Sequence, residues 1–239
     1  MQPTEEAYGE LQTAFDFFNS ELFGGELPGC LITLQREKHT YGYFASDRFM
    51  NAVGEKSHEI AMNPSYFAVV PPVENMQTLV HEMTHLWQFV YGKPGRRGYH
   101  NKEWAGKMQE IGLMPSDTGK EGGKMLGDKM GDYIIPGGPF EAACSRLFTA
   151  DFAITWMDRA PVKTQLEHVL AGEVEGISVE ELAAVGFEVE QATPKSNRDK
   201  YSCTSCNEVN VWGRPGLFVK CGNCDQVLVV LGRDAGPAD

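Results

Sequence analysis

No apolar run in this chain approaches the roughly 20 residues that span a bilayer, so neither a transmembrane helix nor a membrane partner is expected. The opening Met1-Gln2-Pro3-Thr4-Glu5-Glu6 is acidic and lacks the basic-then-apolar order of a secretory signal. A cytoplasmic location is the expectation that follows. Cysteine is scarce, with six in 239 residues. Four of them stand as two C-x-x-C pairs, which in a cytosolic chain of this length favours metal over disulfides, and Cys30 and Cys144 stand alone. Positive charge is also short: 21 Lys and Arg against 33 Asp and Glu leave a net charge of −12, which argues against strong non-specific attraction of the whole chain to nucleic acid. Internal repeats are lacking. The length admits one larger domain with a small appendage, or two modest domains.

The missing positive charge is unevenly missing. Between Lys93 and Lys107 five basic residues (Lys93, Arg96, Arg97, Lys102 and Lys107) face one acid, Glu103. From Lys195 onward six basic residues meet five acidic ones. A basic rim on an acidic body fits this distribution.

Hydrophobic periodicity and turn residues mark the elements. Thr4 is the expected N-cap of a helix carrying Leu11, Phe15, Phe18 and Leu22 on one face and ending at Gly24-Gly25. Cys30–Leu34, Tyr41–Ala45 and His58–Met62 read as strands. A helix from about Val73 to Tyr91 ends at Gly92 with Pro94-Gly95, and another runs from about Asn101 to Gly112 with Trp104, Met108 and Ile111 at core spacing. The glycine-rich stretch 115–139 reads as a lid, a mobile loop or disorder, Phe152–Trp156 as a strand, and Ser178-Val179-Glu180-Glu181 as a capping box.

The chemistry is concentrated in His81-Glu82-Met83-Thr84-His85, inside the second helix. Residues four apart share a helix face, so both imidazoles can reach one metal. Glu82 lies one position round the helix, beside that metal and not among its ligands, where it can take a proton from a water. Catalytic zinc takes three protein ligands. His100 is the strongest candidate for the third, because the loop after the helix reverses direction and brings it back toward the open side. Glu103 and Glu110 remain open as alternatives, whereas His39, His58 and His168 read as surface or core histidines. A hydroxyl from Tyr41 or Tyr43 is a further candidate, for holding an oxyanion. The loop Lys93–Lys102 joins the helix to the third ligand and must lie beside the metal, so Lys93, Arg96, Arg97 and Lys102 are candidate phosphate contacts.

These residues resemble the SprT/Spartan family of zinc metalloproteases. The H-E-x-x-H at 81–85, with fourteen residues between His85 and the His100 of Tyr99-His100-Asn101-Lys102-Glu103-Trp104, is similar to that family's motif and later histidine. Phe18–Pro28, with Leu22-Phe23-Gly24-Gly25-Glu26-Leu27-Pro28, resembles its opening helix and turn, and Ile60–Pro64 its edge strand. The likeness covers about residues 10–112 and again 200–225. It implies that His81, His85 and His100 are the zinc ligands and Glu82 the general base. It also implies an endopeptidase acting on DNA-bound or DNA-crosslinked proteins, with DNA carrying single-stranded regions as a partner and, in a prokaryote, a nucleoid-associated location. A general zinc peptidase indifferent to DNA and a non-catalytic zinc-binding nucleic-acid or partner-binding module are the alternatives. The long stretch from Pro115 to Gln191 departs from the family pattern.

A second site lies near the end of the chain. Cys203-Thr204-Ser205-Cys206 and Cys221-Gly222-Asn223-Cys224 have the spacing of a structural zinc, with Val209–Trp212, Leu217–Val219 and Val227–Leu231 as short strands of a zinc ribbon. Arg214, Lys220 and Trp212 offer cations beside a stacking ring, as single-strand binders use. The expected whole is therefore an α+β, zincin-like protease domain over residues 1–190 (core about 10–112), a linker at 191–199 and a small β zinc ribbon at 200–232, holding two zinc ions, one catalytic and one structural.

Overall fold

The computed structural model describes residues 2–150, 152–159, 161, 163–170, 182 and 198–231. They fall into two compact units, Met1–Glu188 and Val189–Asp239. The architecture is α+β.

The first unit begins with helix α1 (Pro3–Phe23), whose buried face is Leu11, Ala14, Phe15, Phe18 and Leu22. Its start corrects the expectation for Thr4. Pro3, with φ preset and no N–H to lose, opens the helix after Gln2, so Thr4 lies inside the first turn and caps nothing. Gly24 ends it in the left-handed conformation at φ 65°. Strands β1 (Leu31–Leu34), β2 (Gly42–Met50) and β3 (Lys56–Met62) follow, in the order β1-β3-β2. β3 therefore separates its two predecessors, parallel to β1 and antiparallel to β2, with a register shift between Ala45 and Phe49. β2 is left at the edge, alongside the next helix.

That helix, α2 (Pro72–Tyr91), buries Met76, Leu79, Val80, Met83 and Leu86. Each such side chain contributes about 1.5–3 kcal/mol of apolar burial, which outweighs the weak capping at its N-terminus. Gly92 terminates it, and a Cβ there would lie 2.8 Å from the Glu103 carboxyl carbon, so a larger residue would have to displace that side chain. Helix α3 (Lys102–Glu110) is capped by Asn101, whose side chain accepts the N–H groups of Glu103 and Trp104.

The glycine-rich stretch is neither a free lid nor disordered. Strand β4 (Leu113–Ser116) pairs antiparallel with β5 (Gly131–Ile134), making a long hairpin. Its connection is tied internally: the Ser116 hydroxyl donates to Lys120 O at 2.5 Å, and Lys124 N–H to Asp117 Oδ1 at 2.8 Å. Pro139 opens a further helix, α4 (Pro139–Thr149), which docks on α1 with Phe140 stacked against Phe18 at 5.8 Å between centroids. Residues 152–156 form no strand. Their polar groups bond to α1 instead, Thr155 N–H to Glu10 and Trp156 Nε1 to Glu6, which leaves no partner strand for them. A short helix α5 (Lys163–Leu170) follows. The capping-box tetrad 178–181, and the linker stretch apart from Arg198 and Asp199, lie outside the described residues. Among the described residues no helix is long and apolar enough to cross a membrane.

The second unit is a three-stranded antiparallel sheet in the order β7-β6-β8, from β6 (Asp199–Ser202), β7 (Asn210–Gly213) and β8 (Val229–Leu231). Its small core is Tyr201, Cys203, Cys221 and Leu228. Leu217–Val219 is not a strand. The turn at Gly216 (φ 77°) aims Leu217 N–H at the Tyr201 hydroxyl, 2.9 Å away, and no regular pairing follows before the isolated bridge between Lys220 and Val227.

Candidate metal centre

α2 presents His81 and His85 on the face it turns toward α3, and the chain returns with His100 immediately before α3. One nitrogen from each of the three rings lies within 4.8 Å of the others. His85 Nε2 and His100 Nε2 are 3.0 Å apart, close to the roughly 3.3 Å that two nitrogens share around a tetrahedral zinc. Trp104, fully buried, packs against all three imidazoles, with centroids 4.9, 5.2 and 4.4 Å from His81, His85 and His100. Its helical spacing marks Trp104 as a core residue; its place is the floor of the site.

The return of His100 is held by polar contacts. Gln88 of α2 donates to Asn101 Oδ1 (2.7 Å) and to Glu103 Oε2 (2.9 Å), Asn101 donates to Lys93 O, and Lys93 N–H donates to Glu103 at 2.6 Å. Glu103 thus ties the loop down and stands outside the nitrogen cluster. Glu110 pairs with Lys107 instead.

Two residues with no sequence signature complete the surroundings. Asp132 on β5 meets His81 Nδ1 at 2.8 Å, and the Gly127 carbonyl meets His100 Nδ1 at 3.1 Å, beside a backbone bridge between His100 and Gly127. A ring whose Nδ1–H is engaged offers Nε2 as its lone-pair nitrogen. The donor set therefore fits a metal that accepts imidazole, zinc among them.

Charge in the site follows its burial. His85 is pushed well below the usual histidine range by burial and by the neighbouring imidazoles, and His100 falls to about 4, chiefly through burial and the nearby His81. Burial also opposes a charge on His81, but its hydrogen bond to Asp132, with the nearby carboxylates, outweighs burial and raises its pKa. Glu82, buried, is raised to about 7, chiefly by desolvation. At neutral pH the centre can thus offer His85 and His100 as neutral imidazoles, His81 with its proton held more tightly, and a Glu82 carboxyl poised between its two forms.

These groups line a cleft of about 1460 Å³ that also receives Tyr41 just before β2, Tyr43 and Phe44 within it, Tyr133 of β5, and Arg96 and Arg97. Tyr41 is stacked on Tyr66 at 4.0 Å, accepts a hydrogen bond from Gln165, and is pushed up to about 12 by burial. Of the four predicted phosphate contacts, Arg96 and Arg97 reach the cleft while Lys93 and Lys102 do not line it. Arg96 is paired with Asp128 at 2.6 Å.

In the second unit, Cys203, Cys206, Cys221 and Cys224 bring their sulfurs together, with Cys203–Cys224 at 3.4 Å and Cys206–Cys221 at 3.6 Å. Four thiolates around one zinc lie at about this separation. Backbone N–H groups, that of Cys206 foremost, bring the Cys203 thiol down to about 6. Trp212 and Phe218 are well exposed, and Lys220 pairs with Asp225.

Comparison with known proteins finds a likeness over the part of the chain that holds this centre. Residues 11–121 match the SprT-like family. They carry all three clustered histidines, and SprT-like domains are a zinc-metallopeptidase-like family. The match ends before β5 and before the four-cysteine unit. A curated relative, "Uncharacterized protein in mucB 3'region" of Salmonella typhimurium, is 67% identical over 48 residues, 20% of this chain. The chain spans 65% of that relative's length. No solved structure matches.

Proposed function

We propose that this SprT-like chain is a zinc-dependent endopeptidase of zincin-like design, with His81, His85 and His100 as ligands and Glu82 as general base. The observation that carries the reading is the convergence of the three imidazoles beside a buried glutamate that lines an open cleft. When bound, zinc supplies Lewis acidity, polarising a peptide carbonyl and bringing the pKa of water down to about 7. Glu82, itself titrating at about 7, takes the proton of the attacking water on its carboxylate and delivers it to the leaving amine nitrogen. Trp104 keeps the histidine rings packed and shields their inner side from water. The four cysteines hold a second, structural zinc that supplies folding energy to a unit too small to be stabilised by its own core.

The substrate class proposed is protein on DNA, including crosslinked protein, in a cytoplasmic setting that in a prokaryote is nucleoid-associated. Arg96 and Arg97 at the cleft support it, as do Arg214, Lys220 and the exposed Trp212 of the ribbon. The Arg96–Asp128 pair favours the second reading, a peptidase indifferent to DNA, because it already satisfies one of the two cleft arginines. Cleavage of a DNA-binding protein by the zinc-loaded chain, with and without single-stranded DNA and with Glu82→Gln as control, separates the two. Cleavage requiring both DNA and Glu82 is expected. Glu82-dependent cleavage at the same rate without DNA would establish the second reading.

A further inference from the structure

We propose that Asp132 is the positioning residue for His81, holding the imidazole in the one tautomer and orientation that turns Nε2 toward the metal, with Gln77 holding Asp132. The inference rests on reading the three histidines as a metal site, and adds to it a group outside the matched residues 11–121.

The geometry is specific to each oxygen. Asp132 Oδ1 lies 2.8 Å from His81 Nδ1, and Oδ2 accepts from Gln77 Nε2 at 2.7 Å. The same Gln77 amide donates to the Asp132 main-chain carbonyl at 2.8 Å, so the aspartate is gripped by side chain and backbone together. The Asp132 side chain is 5% exposed and that of His81 12%. A carboxylate accepts on both oxygens, so the proton between it and His81 sits on Nδ1. Nε2 is then the free nitrogen, as it is in His100, whose Nδ1 faces the Gly127 carbonyl. Both restraints come from the second half of the β4–β5 hairpin, which gives the hairpin a task at the metal.

Asparagine would keep the size of Asp132 but cannot do its work. If its amide nitrogen faces Gln77, two donors oppose each other. Rotated, it offers a donor to His81 Nδ1 and drives the ring proton onto Nε2, where it blocks the metal. Alanine removes the restraint altogether.

The test uses the full-length, zinc-loaded chain and its Asp132→Asn and Asp132→Ala forms. Zinc affinity is read by chelator competition, with the four-cysteine zinc as internal reference, and the His81 tautomer by nitrogen-15 NMR. Removing an outer carboxylate of this kind is expected to weaken zinc at the histidine site by about 10–100-fold. The cysteine zinc should be unaffected, and His81 in Asp132→Asn should lose its Nδ1–H signature. Wild-type affinity with an unchanged tautomer in Asp132→Asn would overturn the proposal. So would a loss shared equally by the cysteine zinc, which would mark Asp132 as merely structural. A wild-type chain that binds no zinc at its histidines would overturn the metal-centre reading and this inference together, a result distinct from the other two.

Discussion

At the residue scale the site is a contest between burial and charge. Glu82 is raised to about 7 from an ordinary value of 4.5. A folded-state pKa above the unfolded one means that protonation stabilises the fold. The contribution is complete below about 4.5 and is lost as pH rises through about 7. In the metal-free chain Glu82→Gln should therefore leave stability unchanged at pH 5 and increase it at pH 8, by at most about 3 kcal/mol. Chemical denaturation at the two pH values, followed by tryptophan fluorescence, checks this; equal effects at both would contradict it. Zinc binding at the histidines should also compete with protons as pH falls, chiefly at His81, the ligand whose pKa is raised. With the four-cysteine site already loaded, calorimetry in two buffers of different ionisation heat should find protons released as zinc enters the histidine site, and fewer as pH rises. His81 and His85 are legible from their spacing because a helix makes that spacing a shared face. Asp132 is not: 51 positions separate it from His81, and no local rule links a helix to a strand formed so much later.

At the scale of elements, the β4–β5 hairpin is what the sequence hides. Its glycines suggest a loop, yet the one that enters it is required by close approach. Gly112, at φ 94°, turns the chain from α3 into β4, and a Cβ there would lie 2.8 Å from Phe140 N. Gly112→Ala should cost about 1–3 kcal/mol through backbone strain alone. Phe140→Ala, which hollows out the packing between α4 and α1, should cost about 3–5 kcal/mol. Urea denaturation of each variant measures both; a Gly112→Ala chain as stable as wild type would show that the turn relaxes. α1, α2 and α3 are legible because their apolar positions recur at helical period. The β1-β3-β2 order is not, since strand periodicity does not say which neighbour a strand chooses. α4 escapes the pattern because Pro139, which reads as the close of a loop, is the first residue of a helix.

At the scale of the whole molecule, two compact units carry, among the described residues, two candidate metal sites of different chemistry, three nitrogens in one and four sulfurs in the other. The cysteine site is legible from its pair spacing, and the charge asymmetry hints at the arginines of the cleft. Cys221→Ser should abolish zinc in the ribbon and unfold its sheet, seen as a change in Trp212 emission, while the histidine site keeps its metal. Replacing Arg96 and Arg97 by glutamine should weaken single-stranded DNA binding and lower the slope of its salt dependence by about 1–1.5, near 0.7 for each phosphate that is no longer neutralised. An unchanged slope would remove these arginines from any DNA interface.

The central claim is that metal binding and proton transfer are separate duties of neighbouring residues on α2. The most direct measurement is zinc content together with peptide hydrolysis for the wild-type, Glu82→Gln and His85→Ala chains prepared identically. Glu82→Gln should retain the zinc of the wild type and lose hydrolysis by about 10²–10⁴-fold, while His85→Ala should lose both the histidine-site zinc and hydrolysis. Hydrolysis by Glu82→Gln at the wild-type rate, or full zinc content at the histidine site in His85→Ala, would contradict the account.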